Sequence, residues 1–463
     1  MILTTEVLSK FELNNVEVDQ QGKLRVRWGL FSIFTPTDGY TYVHGFSESF
    51  DGITYHYLFE RNTTTGNLHI IVANENMVTI ATADLPAISS NQVFTHAVVN
   101  GEIIISGPNF NCLYGHIGSG LTYAEKVDSI NTATTAIDIP TGICSSFGNR
   151  VAIAQNDVIY FSDPDAIQTY VAQNALHLPG HIYSLNEVSA GLLIATTDGT
   201  YLIPKDALSQ GQEVFGFLQK ISPFAPHQYQ SVVNTPTGPL GIKRGIYKIS
   251  DILVPMDTNS YSGRRFASPR LEQNSFEFSR TYPHPNGACI ALDGYIINVN
   301  TINNTVSWIS HQSEGLNLMG ILNGGLWPMY ILDERIVYPR DGVDEDFYRP
   351  VTGYLCGAIP AADKEIIITS VTTTANNDDL NHSVYLKGQR SLIENDRGSA
   401  TLDFDASEEG TAYSEIEIQS VKHRFRVRTV HPQIEIAIDG AGSEIGPIEI
   451  ITKLPIGSTR GQS

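Results

Sequence analysis

Runs of four or five β-forming residues split by turn dipeptides, a hairpin phrase returning at intervals in the forties, and a scarcity of helix-forming stretches predict a mainly-β protein. The expected architecture is a β-propeller of about six blades with an added antiparallel β-module. Residues 147–204 show the pattern most densely. Five apolar runs there, at 150–154, 158–161, 182–185, 192–196 and 200–203, are separated by Gln-Asn-Asp, Ser-Asp-Pro-Asp, Ser-Ala-Gly and Asp-Gly. These turn residues tolerate the left-handed backbone of tight hairpins, so the runs are expected to be consecutive strands of one meander.

The recurring phrase reads NDVIY at 156, DGTYLI at 198, RGIYKI at 244, DGYIINV at 293 and DERIVY at 333, with weaker copies GNLHII at 66 and GEIIIS at 101. A period of this length holding only short strands marks one four-stranded blade per repeat. The propeller is therefore placed at residues 46–356. Glycine (39), Tyr (21) and Phe (19) favour sheet, and with 41% hydrophobic residues against 17% charged the chain has material for a core. The best helix candidate is short: 163–172, opening Asp-Pro-Asp as a cap with proline in the first turn.

Ahead of the repeat, residues 1–45 carry Phe11, Leu13, Val16 and Val18, then Leu24, Val26 and Trp28, which predict two strands joined by Asp-Gln-Gln-Gly. Lys23, Arg25 and Arg27 alternate with the second set and are expected on a solvated face. The amino-terminal stretch has no basic segment followed by an apolar one, so no signal peptide is expected, and no run approaches a membrane span. Beyond the repeat, residues 357–463 sharpen into period-two strands at 415–419, 424–428, 433–438 and 447–451, expected to form a small sheet or sandwich, possible partners for the amino-terminal strands. Lys422, Arg424, Arg426 and Arg428 fall on one face of it, a candidate docking surface unless Glu415 and Glu417 neutralise them from a neighbouring strand. Arg264, Arg265 and Arg270 form a second candidate contact, a basic loop between repeats.

The net charge of −20, from 49 acidic and 29 basic residues, repels phosphate and argues against gripping nucleic acid by charge neutralisation. It does not exclude a surface that DNA slides past. Cys112, Cys144, Cys289 and Cys356 are too far apart for a metal or disulfide framework and are read as buried thiols. The acidic run at 341–346 lacks the spacing of a calcium loop.

None of the nucleophile, zinc, phosphate-loop or dinucleotide motifs occurs. The turn at 196–201, Thr-Thr-Asp-Gly-Thr-Tyr, is one residue short of the repeated turn of glycan-cleaving propellers, and three tryptophans offer little platform for sugars. Asp163 and Asp165, two apart around a proline, read as a turn cap, and His44, His56 and His69 share no ligand spacing. No active site, cofactor or metal is expected.

Three features resemble the propeller-bearing tail nozzle and hub (packaged-DNA stabilisation) proteins of short-tailed bacteriophages. They are FGNRVAIA with VIYFSDPD from residue 147, IYSL with GLLIATTDGTYL from residue 182, and the closing module RFRVR, IEI, IEI from residue 424. The resemblance implies a structural protein, not an enzyme. Its expected state is a ring of about six copies below the portal and adaptor, retaining the packaged double-stranded DNA and forming its ejection channel. It places the chain in the virion tail, assembled in the host cytoplasm, without a membrane anchor. A receptor-binding or scaffold propeller, and a glycan-active propeller enzyme, are the competing readings.

Overall fold

The computed structural model describes residues 2–8, 11–19, 21–128, 135–205, 218–242, 246–249, 265–266, 280–292, 294–310, 315–324, 327–340, 345–346, 349–350, 352–358, 366–375, 382–389, 399–402, 419–439, 444–446 and 448–453. Apart from one helical turn, Thr5–Leu8, the regular elements among these residues are strands. Seven four-stranded antiparallel units follow one another. The first is Tyr40–Phe50, Ile53–Asn62, Asn67–Asn74 and Thr79–Ala87, and the second Thr95–Val99, Glu102–Gly107, Phe110–His116 and Thr122–Tyr123. The third, Ile143–Phe147, Arg150–Gln155, Val158–Asp163 and Ala166–His177, takes a fifth strand from Ala136–Ile137. The fourth is Ile182–Val188, Gly191–Thr196, Gly199–Pro204 and Gln219–Ser222, and the fifth Val232–Val233, Leu240–Ile242, Ile246–Lys248 and Arg265–Phe266. The sixth is Arg280–His284, Gly287–Leu292, Tyr295–Asn300 and Thr305–Ile309. The seventh, Leu318–Gly324, Trp327–Leu332 and Ile336–Pro339, takes its outer strand from Leu30–Phe34, far upstream.

A blade lies between two others, so its second strand is buried on both faces and reads as an unbroken apolar run. Side chains of one strand then divide between two cores. Ile103 and Ile105 pack toward the first blade, while Ile104 packs toward the third. Leu192 and Ile194 face the third, Leu193 and Ala195 the fifth. A separate apolar cluster fills each junction, including the one joining Tyr42, Leu58 and Ile71 of the first blade to Leu322, Met329, Ile331 and Ile336 of the seventh, which closes the circle. At about 1.5–3 kcal/mol for each fully buried Leu, Ile or Phe, these junctions are the main source of stability.

Five copies of the recurring phrase mark the third strands of blades three to seven, and GNLHII marks that of the first. GEIIIS instead starts the second strand of the second blade, so the period slips there by one strand. The count is seven, against the expected six or so, because the last blade is completed by residues 30–34. The runs at 147–204 form two meanders in adjacent blades, divided at the connection 178–181.

The stretch 163–172 is a strand. Asp163 pairs with Ala166 across a two-residue turn in which Asp165 has φ 57°, and Ile167, Thr169 and Tyr170 are buried beyond it. Proline suits the first corner of such a turn as well as a helix start, and the β-branched and aromatic residues that follow decide for the strand.

Residues 12–26 leave the propeller and join the carboxy-terminal strands. Glu12–Asn14 lies between the outer strand of the sixth blade, parallel to it, and Thr352–Ala358, antiparallel to it. Leu3, Phe11, Leu13, Val16, Leu24 and Val26 share a core with Leu355, Ile434, Ile436, Ile438, Ile448 and Ile450. Two of the expected carboxy-terminal strands are one: Gln419–Asp439 is continuous, pairing with Ile366–Ala375 up to Thr429 and with Thr352–Ala358 and His382–Gln389 beyond it. No Gly, Asn, Asp or Ser separates Arg428 from Gln433, and Pro432 sits where the partners change. Residues 415–418 lie outside the described residues.

Arg27 leaves the solvated face expected for it. Its side chain is buried, with Nε donating to Asn15 Oδ1 at 2.9 Å and the guanidinium donating to the carbonyls of Trp28 and Ser310, which fastens the amino-terminal strands to the sixth blade.

Candidate functional site

The innermost strands of all seven blades surround a central cavity of about 620 Å³. Inner strands diverge too far for a continuous backbone ladder, and small hydroxyl residues join them. Thr95 Oγ1 accepts the Cys144 N–H at 2.7 Å, Ser145 Oγ that of Glu187 at 3.1 Å, and Ser47 Oγ that of Asn323 at 2.8 Å. The seam between the seventh and first blades, to which Ser47 and Asn323 belong, also brings backbone against backbone. There Gly320 and Gly45 pair directly, and a Cβ on Gly320 would stand 2.4 Å from the Gly45 carbonyl oxygen.

The end where chain enters the inner strands is crossed by two bonds between blades on opposite sides of the ring. Gln230, just before the fifth blade, donates through Nε2 to the Phe94 carbonyl at 3.0 Å, and Arg280, at the start of the sixth, donates to the Asn91 carbonyl at 3.4 Å. Gln230 has φ 55°, an uncommon conformation for a non-glycine, and is held by Thr281, whose N–H and hydroxyl both donate to its carbonyl.

Near this end His44 sits among Phe46, Phe59 and Phe94, with ring centroids 5.4–5.8 Å away and 6% of its surface exposed. Burial, followed by the nearby His96 and Arg280 side chains, pushes its pKa down to about 3, so the ring is neutral at ordinary pH. His44 Nε2 is buried without a hydrogen-bond partner, as is Gln230 Oε1. His96 lies flat on Phe46, centroids 3.7 Å apart, and its Nε2 meets Glu48 Oε1 at 2.7 Å. The other carboxylate lining the cavity, Glu187, accepts the Gly148 N–H at 3.2 Å. Among the described residues no group of three or more His, Cys, Asp or Glu could hold a metal ion, and no helix is long and apolar enough to cross a membrane.

The sequence-derived candidates lie elsewhere. Arg264 and Arg270 are outside the described residues, and Arg265 lies on the outer strand of the fifth blade, paired with Tyr247. Lys422, Arg424, Arg426 and Arg428 occupy alternate positions of Gln419–Asp439. Register sets Lys422 in one cross-strand row with Thr372 and Glu449, and Arg424 in another with Ser370 and Ile451; Glu449 and Ile451 are exposed. Asp163 and Asp165 belong to a turn: Asp165 accepts from Asn100 at 2.7 Å and Asn149 at 3.1 Å. The turn at 196–201 is likewise structural, Asp198 accepting from the Tyr201 hydroxyl and, at 2.7 Å, from Lys220 Nζ. His56 is buried against Ser47, and His69 pairs with Asp84.

Glu48, His96, Gln230 and Arg280 carried no signal in the sequence. They come from four blades: Glu48 and His96 meet between adjacent blades, and Gln230 and Arg280 reach across the ring to the segment before the second blade. The nearest thing to a signal is the short tract Gln228-Tyr229-Gln230, polar residues directly before an apolar inner strand.

The fold and this cavity define the class: a seven-bladed β-propeller with a second, mixed amino- and carboxy-terminal β-module. No family model matches the chain, and no curated protein matches it. Among solved structures, it is similar to a chain of the mitotic checkpoint complex at a TM-score of 0.36 and 10% identity, over 62% of this chain and 84% of that one. It is similar to the β-fructofuranosidase of Schwanniomyces occidentalis at 0.28 and 10%, over 92% and 98% of the two chains. It is similar also to the exo-β-1,3-galactanase of Phanerochaete chrysosporium at 0.24 and 10%, over 91% and 100%. With two glycan-acting enzymes among these neighbours, the expectation that the chain is not an enzyme is withdrawn. Likeness this faint assigns it no reaction.

Proposed function

We propose that the chain is a structural component of a short bacteriophage tail, a nozzle or hub ring below the portal and adaptor that retains packaged DNA and forms its ejection channel. The observation that supports this reading is the alternation of Lys422, Arg424, Arg426 and Arg428 along Gln419–Asp439, a strand of a module whose sheet runs on into the sixth blade. A basic segment on a chain of net charge −20 suits the acidic surface of a further copy or of a neighbouring ring. A cavity of about 620 Å³, crossed at one end, takes a small molecule and not a duplex, so in this reading DNA passes through the lumen of a ring of copies. An acidic wall there keeps the polyanion from sticking.

Quantitative mass spectrometry of purified virions, counting this chain against the major capsid protein, tests the proposal. About six or twelve copies per particle are expected of a closed ring, and absence from the particle would overturn it. Reversing Arg424, Arg426 and Arg428 to glutamate should block incorporation of the folded chain. Normal particles carrying the triple variant would remove the docking face from the proposal.

A further inference from the structure

We infer that one end of the first blade, at Phe50, Ile53, Val78 and Ile80, docks a second copy of this chain through the basic segment 422–428 of that copy. The inference rests on the ring reading above and names the two surfaces that meet in it.

Ten large apolar side chains are exposed among the described residues, and these four alone gather on one blade, 40%, 45%, 58% and 44% exposed in turn. Register sets them at the same end of its sheet. Phe50 pairs with Ile53 across a two-residue turn, Tyr55 pairs with Asn74 two residues further in, and the Asn74 N–H donates to the Val78 carbonyl at 3.0 Å. Asp51 and Gly52 in that turn have φ 51° and 78°, the paired left-handed residues of a tight hairpin. Phe50 and Tyr55 lean on the second blade: a Cβ on Gly101 would stand 2.7 Å from the Phe50 ring, and one on Gly118 2.6 Å from that of Tyr55. Apolar groups held in place by the fold and still open to water, with a polar rim, mark a surface made for another protein.

Charge selects the partner. Asp51 and Glu75 are exposed beside the four apolar residues. Residues 40–123 hold one base, Arg61, against Glu48, Asp51, Glu60, Glu75, Asp84 and Glu102. Arg61 lies toward the other end of Ile53–Asn62, its Nε donating to the Ile88 carbonyl at 3.1 Å. Residues 419–434 are the reverse, with Lys422, Arg424, Arg426 and Arg428 and no acid. A basic segment set against the acid-rimmed end suits both, whereas two such ends, or two basic segments, repel each other. The contact is therefore head to tail. Unlike surfaces that meet in this way pass the contact from copy to copy until it closes a ring.

Analytical ultracentrifugation of the full chain tests the contact. Wild-type chain should self-associate with a Kd of about 100 µM or tighter, more weakly at about 500 mM salt than at about 50 mM. Ile53→Ser with Val78→Ser should weaken association at least about tenfold with unchanged circular dichroism. Asp51→Arg with Glu75→Arg should do the same, and adding Arg424→Glu with Arg426→Glu to that chain should restore it to within about threefold of wild type. A chain that stays monomeric up to about 300 µM, association indifferent to both pairs of first-blade substitutions, or a charge swap that restores nothing would overturn the inference. If the serine variant fails to fold, the charge swap decides alone. Copy number in virions reads the tail proposal separately: a chain counted at six per particle but monomeric in solution would lose this contact and keep the tail, and one that associates as described but is absent from virions would do the opposite.

Discussion

Replacing Gly320 with alanine should open the propeller at its seam. The new Cβ would lie 2.4 Å from the carbonyl oxygen of Gly45, 2.9 Å from its nitrogen and 3.1 Å from its carbonyl carbon, all backbone atoms that cannot swing aside. Ordinary contact requires the two inner strands to part by roughly 1 Å, which breaks their pairing and loosens Leu322 and Ile331 against Tyr42 and Leu58. Overpacking of this kind costs about 1–3 kcal/mol, and a rigid opponent places the substitution at the upper end. Gly45→Ala should cost less, because its worst opponent is the flexible end of Ile331 at 2.2 Å. Gly120→Ala is the control: its nearest atoms are 3.8 Å away, so it should be neutral or stabilise by about 0.4–1 kcal/mol through the unfolded chain. Urea titration of the three variants, followed by tryptophan fluorescence, reads the order directly. If Gly320→Ala unfolded at the same midpoint as Gly120→Ala, the close approach would not be a determinant of stability and the closure argument would fail.

Three further outcomes follow from features of the same ring. Thr95→Val keeps the shape but removes the acceptor of the Cys144 N–H, and should destabilise by about 1–3 kcal/mol; an unchanged midpoint would show that the hydroxyl links between inner strands carry no weight. Burial holds His44 down at about 3 and His284 at about 4, against an ordinary 6.5, so below pH 6.5 the unfolded chain takes up protons that the native one refuses. Stability should therefore hold above about pH 6.5 and fall as the pH drops toward 4, with a shallower fall in His44→Phe; identical slopes would refute the assignment. Burial also raises the thiols of Cys112 to about 11 and Cys144 to about 12 and shields Cys289, whereas Cys356 is half-buried. N-ethylmaleimide should modify native protein first at Cys356, and peptide mapping that found Cys144 labelled as fast would contradict the packing.

How far the sequence discloses this molecule depends on whether its signals are local. Two-residue turns such as Asn156-Asp157 and Asn100-Gly101 dictate hairpins through their own backbone preference, and the runs they bound match strands almost to the residue. The unbroken apolar run of a second strand is legible for a related reason, because both of its faces are buried by identical neighbours. Closure is not local. Nothing in Leu30–Phe34 distinguishes a strand completing the last blade from one belonging to the amino-terminal pair, and its partner lies about 300 residues away. Arg27 illustrates the same limit: alternation placed it in water, and tertiary packing against Asn15 and Ser310 placed it inside. The cavity was illegible because its lining comes from all seven blades, and Gln230 and Arg280 reach the segment 91–94 only across the completed circle.

The upstream origin of the last outer strand also sets a schedule for synthesis. When Leu30–Phe34 leaves the ribosome its three partner strands do not yet exist, and it stays unpaired until residue 339 has been made. Every earlier blade can fold on its predecessor as it emerges. The first keeps an uncovered flank throughout, and a nascent chain interrupted before the seventh blade has no means of covering it. Truncated chains should therefore bind chaperones or aggregate, while the finished chain locks in one late step that joins its two most distant propeller segments.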